Sequence, residues 1–199
     1  MSNVGGGRPG GAPRKGLLVV ISGPSGSGKT TIVREVLKRL PVRRSVSATT
    51  RPMREGEEEG KNYTFLTREE FERRIARNGF LEHAEYAGQR YGTPRAAVEE
   101  ALARGETIIL EIEIQGARII RRTFPEALTI FILPPSLEEA ERRIRKRHRG
   151  EGEAEIRRRM EIARQEMECA REFGHQVVNE DLEAAIAEVA KIIAEAWKQ

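Results

Sequence analysis

The strongest chemical signal in the chain is a run of nine residues, Gly23-Pro24-Ser25-Gly26-Ser27-Gly28-Lys29-Thr30-Thr31, which contains the pattern G-x-x-x-x-G-K-[ST] in full. Glycines let a backbone wrap with successive N–H groups pointing inward, the arrangement that a cluster of phosphate oxygens requires. A lysine at this place reaches the β- and γ-phosphates of a nucleoside triphosphate, and the adjacent hydroxyl is offered to the Mg²⁺ that travels with them. The expectation is an ATP site over Gly23–Thr31, with Lys29 as the catalytic cation and Thr30 as the metal ligand. ATPases, GTPases, transporters and small-molecule kinases all use such a loop, so it indicates the donor and leaves the acceptor open.

The acceptor must be read from a second constellation. SVSATTRPMREGEEEGKNYTF, Ser45 to Phe65, concentrates Ser47, Arg51, Arg54 and Tyr63. Two guanidinium groups and two hydroxyls suit a phosphate monoester gripped by bidentate forks. Glu82, Tyr91 and Thr93 follow. A carboxylate accepts from N–H donors and a hydroxyl serves a carbonyl. Guanine presents N1–H and N2–H₂ side by side where adenine has no such pair, so an acidic residue here favours guanine. Glu111 and Glu113 stand two apart at the end of an apolar run and face the same side of a strand. The carboxyl ends of strands are where open α/β sheets bind ligands; a structural pair capping the loop is the alternative. The basic run RRIRKRHRGEGEAEIRRRM holds Arg147, Arg149 and Arg159. Arginines of this kind can close over a transferring phosphoryl group and spread its charge. A basic helix face for nucleic acid is the competing reading, though no interleaved aromatics or known nucleic-acid module accompany it. No His/Cys cluster has metal-ligand spacing, so Mg²⁺ arriving with ATP is the only metal expected.

These groups need a frame. Strand-like apolar runs fall at 17–22, 106–112, 127–133 and 176–179, and helical patterns at 29–40, 94–104, 115–123, 136–148, 153–172 and 181–197. Alternation of strand and helix predicts a parallel sheet with helices on both faces. The stretch at about 43–93 breaks the rhythm with short, polar, aromatic-bearing segments and reads as a small mixed-strand insertion. In the helix at 153–172, Ile156, Met160, Ala163, Met167 and Ala170 form the expected core stripe. The chain has 199 residues, 38% hydrophobic and 33% charged, with a net charge of +4, which fits one globular domain with a heavily charged surface. No apolar run approaches the ~20 residues that span a bilayer. The N-terminus lacks the apolar core of a signal peptide and reads as a flexible Gly/Pro tail over 1–15. The single cysteine, Cys169, excludes an intrachain disulfide and suits a reducing, cytoplasmic compartment.

Taken in order, GPSGSGKTT, SVSATTRPMREGEEEGKNYTF, FLEHAEYAGQRYGTP, LEIEIQGA and VVNEDL resemble the guanylate kinase family of P-loop nucleoside monophosphate kinases, which transfer a phosphoryl group from ATP to GMP. The resemblance runs from about Gly16 to the C-terminal helix. It implies a three-layer α/β P-loop fold over 16–197, with a GMP-binding insertion at about 43–93 and an Arg-rich helical lid at about 143–160. It implies that Ser47, Arg51, Arg54, Tyr63 and Tyr91 hold the GMP phosphate, and that Glu82 and Thr93 read the guanine. Glu113 stands where the family usually has an Asp associated with guanine contact. Arg147 and Arg159 would join Lys29 and Arg51 in catalysis, in a lid one residue longer than the usual spacing. The substrates would be ATP and GMP, with dGMP a plausible second acceptor, and no nucleic acid, membrane or obligate protein partner is expected. Two other readings stay open: a kinase of another small phosphorylated acceptor such as a ribose bisphosphate, and a non-catalytic binding module of the same fold. Glu82 and Thr93 weigh against the first, and the intact Gly28, Lys29 and Thr30 against the second.

Overall fold

The layering follows from the first strand, β1 (Leu17–Ser22). In the computed structural model, which describes residues 16–86, 88–147 (Arg147 by its backbone alone) and 152–198, Leu18 and Val20 belong to one buried cluster and Val19 and Ile21 to another. A strand apolar on both sides must be covered on both sides. After it come α1 (Lys29–Arg39), β2 (Val42–Arg44), β3 (Ala48–Thr49), β4 (Thr64–Phe65), α2 (Arg68–Ala76), β5 (Phe80–Tyr86), β6 (Gln89–Pro94) and α3 (Arg95–Ala103). The second half of the chain adds β7 (Thr107–Glu111), α4 (Ile114–Thr123), β8 (Leu128–Leu133), α5 (Leu137–Arg147), α6 (Glu153–Glu168), a 3-10 turn at Cys169–Glu172, β9 (His175–Val178) and α7 (Leu182–Ala196).

Five strands form a parallel sheet in the order β2-β7-β1-β8-β9. Ile32, Val33 and Val36 of α1, with Ile186, Val189 and Ile193 of α7, cover the face of Val19 and Ile21. Val98 and Ala101 of α3, with Ala117 and Ile120 of α4, cover the face of Leu18 and Val20. Because the strands are parallel, their carboxyl ends share one edge, and it carries Gly23 after β1, Glu113 after β7 and Asn179 after β9. This is the edge at which α/β sheets hold ligands.

A second, mixed sheet has the order β4-β3-β6-β5, with β3 and β4 parallel and the other pairs antiparallel. It starts at Ala48, so Arg43 and Arg44 of the stretch at 43–93 sit in β2 of the main sheet. Its own core is Ala48, Phe71 and Phe80, with the two rings stacked at 4.4 Å. Each such ring stabilises by roughly 1.5–3 kcal/mol, a small core for four strands. Leu81 of β5 ties the sheet to the main core. Sequence reading expected only strands here and missed α2, although its signature is present. Thr67 accepts a hydrogen bond from the Glu70 N–H (3.2 Å), the T-x-x-E pattern of a capped helix start. The stripe of α6 also differs from expectation. Ile156, Ala163 and Glu166 are buried, while Met160 and Met167 are only partly so. Among the described residues, no helix is long and apolar enough to cross a membrane. The tail at 1–15 and Arg149 of the basic run lie outside the described residues.

Candidate active site

The phosphate loop turns out of β1 and enters α1 through Gly28, whose φ of +87° is open to glycine at little cost. A Cβ at Gly28 would come within 2.2 Å of Asn179 Nδ2. That space lets the Asn179 amide donate to the Ser27 carbonyl at 2.7 Å. Arg143 Nη2 in turn donates to the Asn179 carbonyl (3.0 Å), while its Nε is held by Glu139 (2.7 Å). The loop is thus clamped from α5 and from the end of β9. The first turn of α1 contains no acidic side chain, and Gly28 offers no side-chain cap, so the helix start remains open to an anion.

Lys29 bends back over the loop. Its Nζ donates to the Gly23 carbonyl at 3.2 Å and lies 3.7 Å from Glu113 Oε1. Burial disfavours the ammonium charge, but Glu113, then Glu111 and Glu166, outweigh it, and the group titrates above its ordinary value. Thr30 Oγ1 donates to Glu111 Oε1 at 2.5 Å. All nine loop residues line a cleft of about 520 Å³, together with Arg54, Tyr63, Glu111, Glu113, Arg143 and Arg159.

Ser47, Tyr63, Glu82, Tyr91 and Glu113 meet at a second, narrow cavity of about 30 Å³ beside Tyr86 and Gly116. The register of β5 and β6 sets Glu82 opposite Thr93, and Thr93 Oγ1 donates to Glu82 Oε1 at 2.5 Å. A Cβ on Gly116 would fall 2.4 Å from Glu82 Oε2, so the glycine of α4 makes room for the carboxylate. Burial pushes the Glu82 carboxyl up to about 7, against the pull of its bonds to Thr93. Tyr63, Glu111 and Glu113 line both cavities, so the two share a wall.

Three of the residues picked out from the sequence lie elsewhere than at the second cavity. Thr93 is fully buried behind Glu82 and does not line it. Arg54 lines the larger cleft. Arg51 lines neither, and its fork is closed on Glu57 (Nη1–Oε2 2.9 Å, Nη2–Oε1 2.8 Å) with the guanidinium over the Tyr63 ring at 5.3 Å. Glu57 also accepts the Arg54 N–H at 2.7 Å, and the Arg51 bonds hold its carboxyl below the ordinary value. Arg159 faces the larger cleft, and the Arg147 side chain is outside the described residues.

Sequence reading missed Glu57, Arg143, Asn179, Tyr86 and Glu166. Asn179 carried a usable signal, since it directly follows a strand whose end lies on the ligand edge. Glu166 carried another, as an acid within the apolar stripe of α6. Glu57 is one of four acids in Glu55–Glu59, and nothing local marks it from the rest.

Similarity to known proteins points the same way. The sequence model of the guanylate kinase family matches residues 15–196. The guanylate kinase of Synechocystis sp. is 52% identical over 182 residues, covering 91% of this chain and 95% of that protein. That of Rubrobacter xylanophilus is 50% identical over 181 residues, covering 90% and 94%. The crystal structure of guanylate kinase from Anaplasma phagocytophilum superposes with a TM-score of 0.79 at 32% identity, over 92% of this chain and 87% of that one. A gluconokinase from Sinorhizobium meliloti shares the fold alone, with a TM-score of 0.50 at 16% identity.

Proposed function

Because this chain belongs to the guanylate kinase family, we propose that it transfers the γ-phosphoryl group of ATP to the phosphate of GMP, giving ADP and GDP. The observation that carries the reading is the shared wall. Tyr63, Glu111 and Glu113 border both the phosphate-loop cleft and the cavity of Glu82, so a donor and an acceptor held there would meet end to end. An oxygen of the GMP phosphate attacks the γ-phosphorus as the bond to the ADP oxygen breaks. The GMP phosphate is already ionised, so no protein base is needed, and the protein acts by positioning and charge neutralisation.

In this reading Lys29 and the loop N–H groups hold the β- and γ-phosphates. The oxygens of Thr30 and Glu111 fit Mg²⁺, a hard cation that takes one or two protein oxygens and completes its shell from phosphate and water. Bound there with ATP, it would supply further neutralisation of phosphate charge. Arg51 and Arg54, with Ser47, Tyr63 and Tyr91, grip the acceptor phosphate. Arg51 must first exchange the Glu57 carboxylate for phosphate, a trade of one bidentate partner for another of higher charge. Glu82, oriented by Thr93, accepts from the guanine N–H groups, with Glu113 alongside. Arg159 and Arg147 supply cationic charge to the transferring group. The cavity beside Glu82 is narrow, and movement of the second sheet would widen it for a purine and then close it to exclude water. We assign that sheet as one moving part and the lid expected at about 143–160, of which 148–151 lie outside the described residues, as the other. No residue named here must touch the ribose 2′-hydroxyl, which leaves dGMP as a second acceptor. A cytoplasmic setting is in keeping with the lone Cys169.

The test is ADP release from ATP·Mg²⁺ with GMP, dGMP, AMP, UMP, CMP or ribose bisphosphate as acceptor. The expected result is stimulation by the two guanine nucleotides alone. Stimulation by ribose bisphosphate alone would move the acceptor assignment, and no stimulation at all with ATP still bound would make the chain a binding module.

A further inference from the structure

The main sheet and the second sheet meet at a short connection: Arg44 is the last residue of β2 and Ala48 the first of β3. The Arg44 side chain spans this joint. Its Nη2 donates to the Lys61 carbonyl at 2.5 Å, and its Nη1 lies 3.7 Å from Glu111 Oε2. Glu111 ends the neighbouring strand β7, and its other oxygen accepts the Thr30 hydroxyl at 2.5 Å. One guanidinium therefore stands between the carboxylate partner of the phosphate loop and the segment that leads to Tyr63. A planar fork of several donors can serve two such partners at once.

Lys61 is a firm handle, because the turn around it is bonded to itself. Lys61 and Asn62 donate their backbone N–H groups to the Glu58 carbonyl (3.2 and 3.1 Å), and Gly60 donates to the Tyr63 carbonyl (2.9 Å). The Asn62 side chain accepts the Glu58 N–H at 2.9 Å. Past the turn, Thr64 of β4 donates to the Ser47 carbonyl at 2.9 Å, so the turn is tied to the second sheet. A pull on the Lys61 carbonyl is therefore felt at Tyr63, two residues on, which with Glu111 lines both cavities. Exposed ion pairs contribute little. Here the Arg44 side chain is only 26% exposed and that of Glu111 14%, and the bond to Lys61 is charge-assisted.

We propose that Arg44 is a positioning residue for the acceptor: by tying the Lys61 carbonyl to the Glu111 end of β7 it fixes the second sheet at the joint, and with it the place of Tyr63 beside the phosphate loop. Arg44 lines neither cavity, so it acts through these neighbours. The proposal rests on the reading of the two cavities as donor and acceptor sites. A misplacement of about 1 Å in a group that holds substrate can cost up to 10²-fold, so a tie at the joint is a lever on the acceptor site.

The experiment compares R44M, which keeps much of the apolar stem and removes both contacts, with R44K, which keeps the charge and a donor. Each is assayed for GMP-stimulated ADP release, with ATP·Mg²⁺ affinity measured by calorimetry. R44M should raise the KM for GMP about 10-fold, with ATP·Mg²⁺ affinity within about 2-fold of the wild type. Its kcat should stay within about 3-fold, because Glu111 keeps its bond to Thr30. R44K should bring the KM back to within about 3-fold of the wild type. If R44M does not fold, R44A takes its place with the same expected rise. An unchanged or lower KM in the variant lacking both contacts, an equal loss of ATP·Mg²⁺ affinity, or no recovery in R44K would each overturn the proposal. A wild-type chain that shows no GMP-stimulated release would instead overturn the phosphoryl-transfer reading, and this proposal with it.

Discussion

The donor cleft and the acceptor cavity are built by different means. The donor cleft is lined by one contiguous loop held at the edge of a five-stranded sheet that is buried on both faces. Its phosphate contacts would come largely from backbone N–H groups, whose directions follow from the loop conformation. The acceptor cavity draws its side chains from β5, β6, the β7–α4 connection and the segments on either side of β3, on a sheet whose own core is Ala48, Phe71 and Phe80. Glu82 of this cavity is already paired with Thr93, and Arg51, which lies outside it, with Glu57. A strongly packed frame favours a preformed site. A weakly packed sheet sits at the low end of local stability, where parts that must move are found. In the proposed reading the molecule offers a preformed donor site and an acceptor site whose internal pairs would stand in for the substrate until it arrives.

Substitutions can break this contrast, and the largest effect should come from the rigid side. Lys29→Ala should lower kcat by at least about 10³-fold and leave GMP affinity, read by calorimetry, nearly unchanged. Loss of both would mean that the two sites are not separate. Next comes Glu82→Gln, which removes a charged acceptor. The kcat/KM for GMP should fall roughly 10²-fold with little change in ATP affinity. Glu57→Ala sharpens the question of what the internal pairs do. If Glu57 holds Arg51 ready, the KM for GMP should rise about 10-fold with kcat within about 3-fold. A lower KM would show that Glu57 only competes with phosphate.

The smallest effect is that of pH. Burial pushes the Glu82 carboxyl up to about 7, and if Glu82 reads guanine its protonated form would lose an acceptor for the guanine N–H groups. The KM for GMP should therefore rise several-fold as pH falls from about 8 to about 6, beyond whatever E82Q shows from titration of the GMP phosphate. Stability moves the other way. Folded Glu82 keeps its proton to about 7 while the unfolded chain releases it near 4.5, so its contribution is complete below the lower value and lost as pH rises through the higher. The melting temperature of the wild type relative to E82Q should fall by a few degrees between about pH 5 and pH 8.

How far each region can be read from sequence follows the same contrast. The loop Gly23–Thr31, its strand and its helix lie within one short segment, and the strand–helix alternation that builds the main sheet repeats along the chain. The helix α2 was also readable, through Thr67 and Glu70, but the polar surroundings hid it. In the acceptor region the residue types told of a phosphate and a guanine, yet not of the pairings. Arg51 stands six residues from its partner in a run of acids that look alike. Glu166 interrupts the apolar stripe of α6, and that signal was lost among the many solvated acids of the same helix.

The phosphate loop and the parallel α/β frame were legible in the chain alone, because they depend on spacing along a few residues, and the residue types after them favoured a phosphate and a guanine. It took the folded chain to bring Thr30 to Glu111 across 81 positions and Asn179 to Ser27 across 152. Those contacts exist because the order β2-β7-β1-β8-β9 brings distant strand ends to one edge. Strand order is set by how whole faces pack, which no local pattern in the chain records.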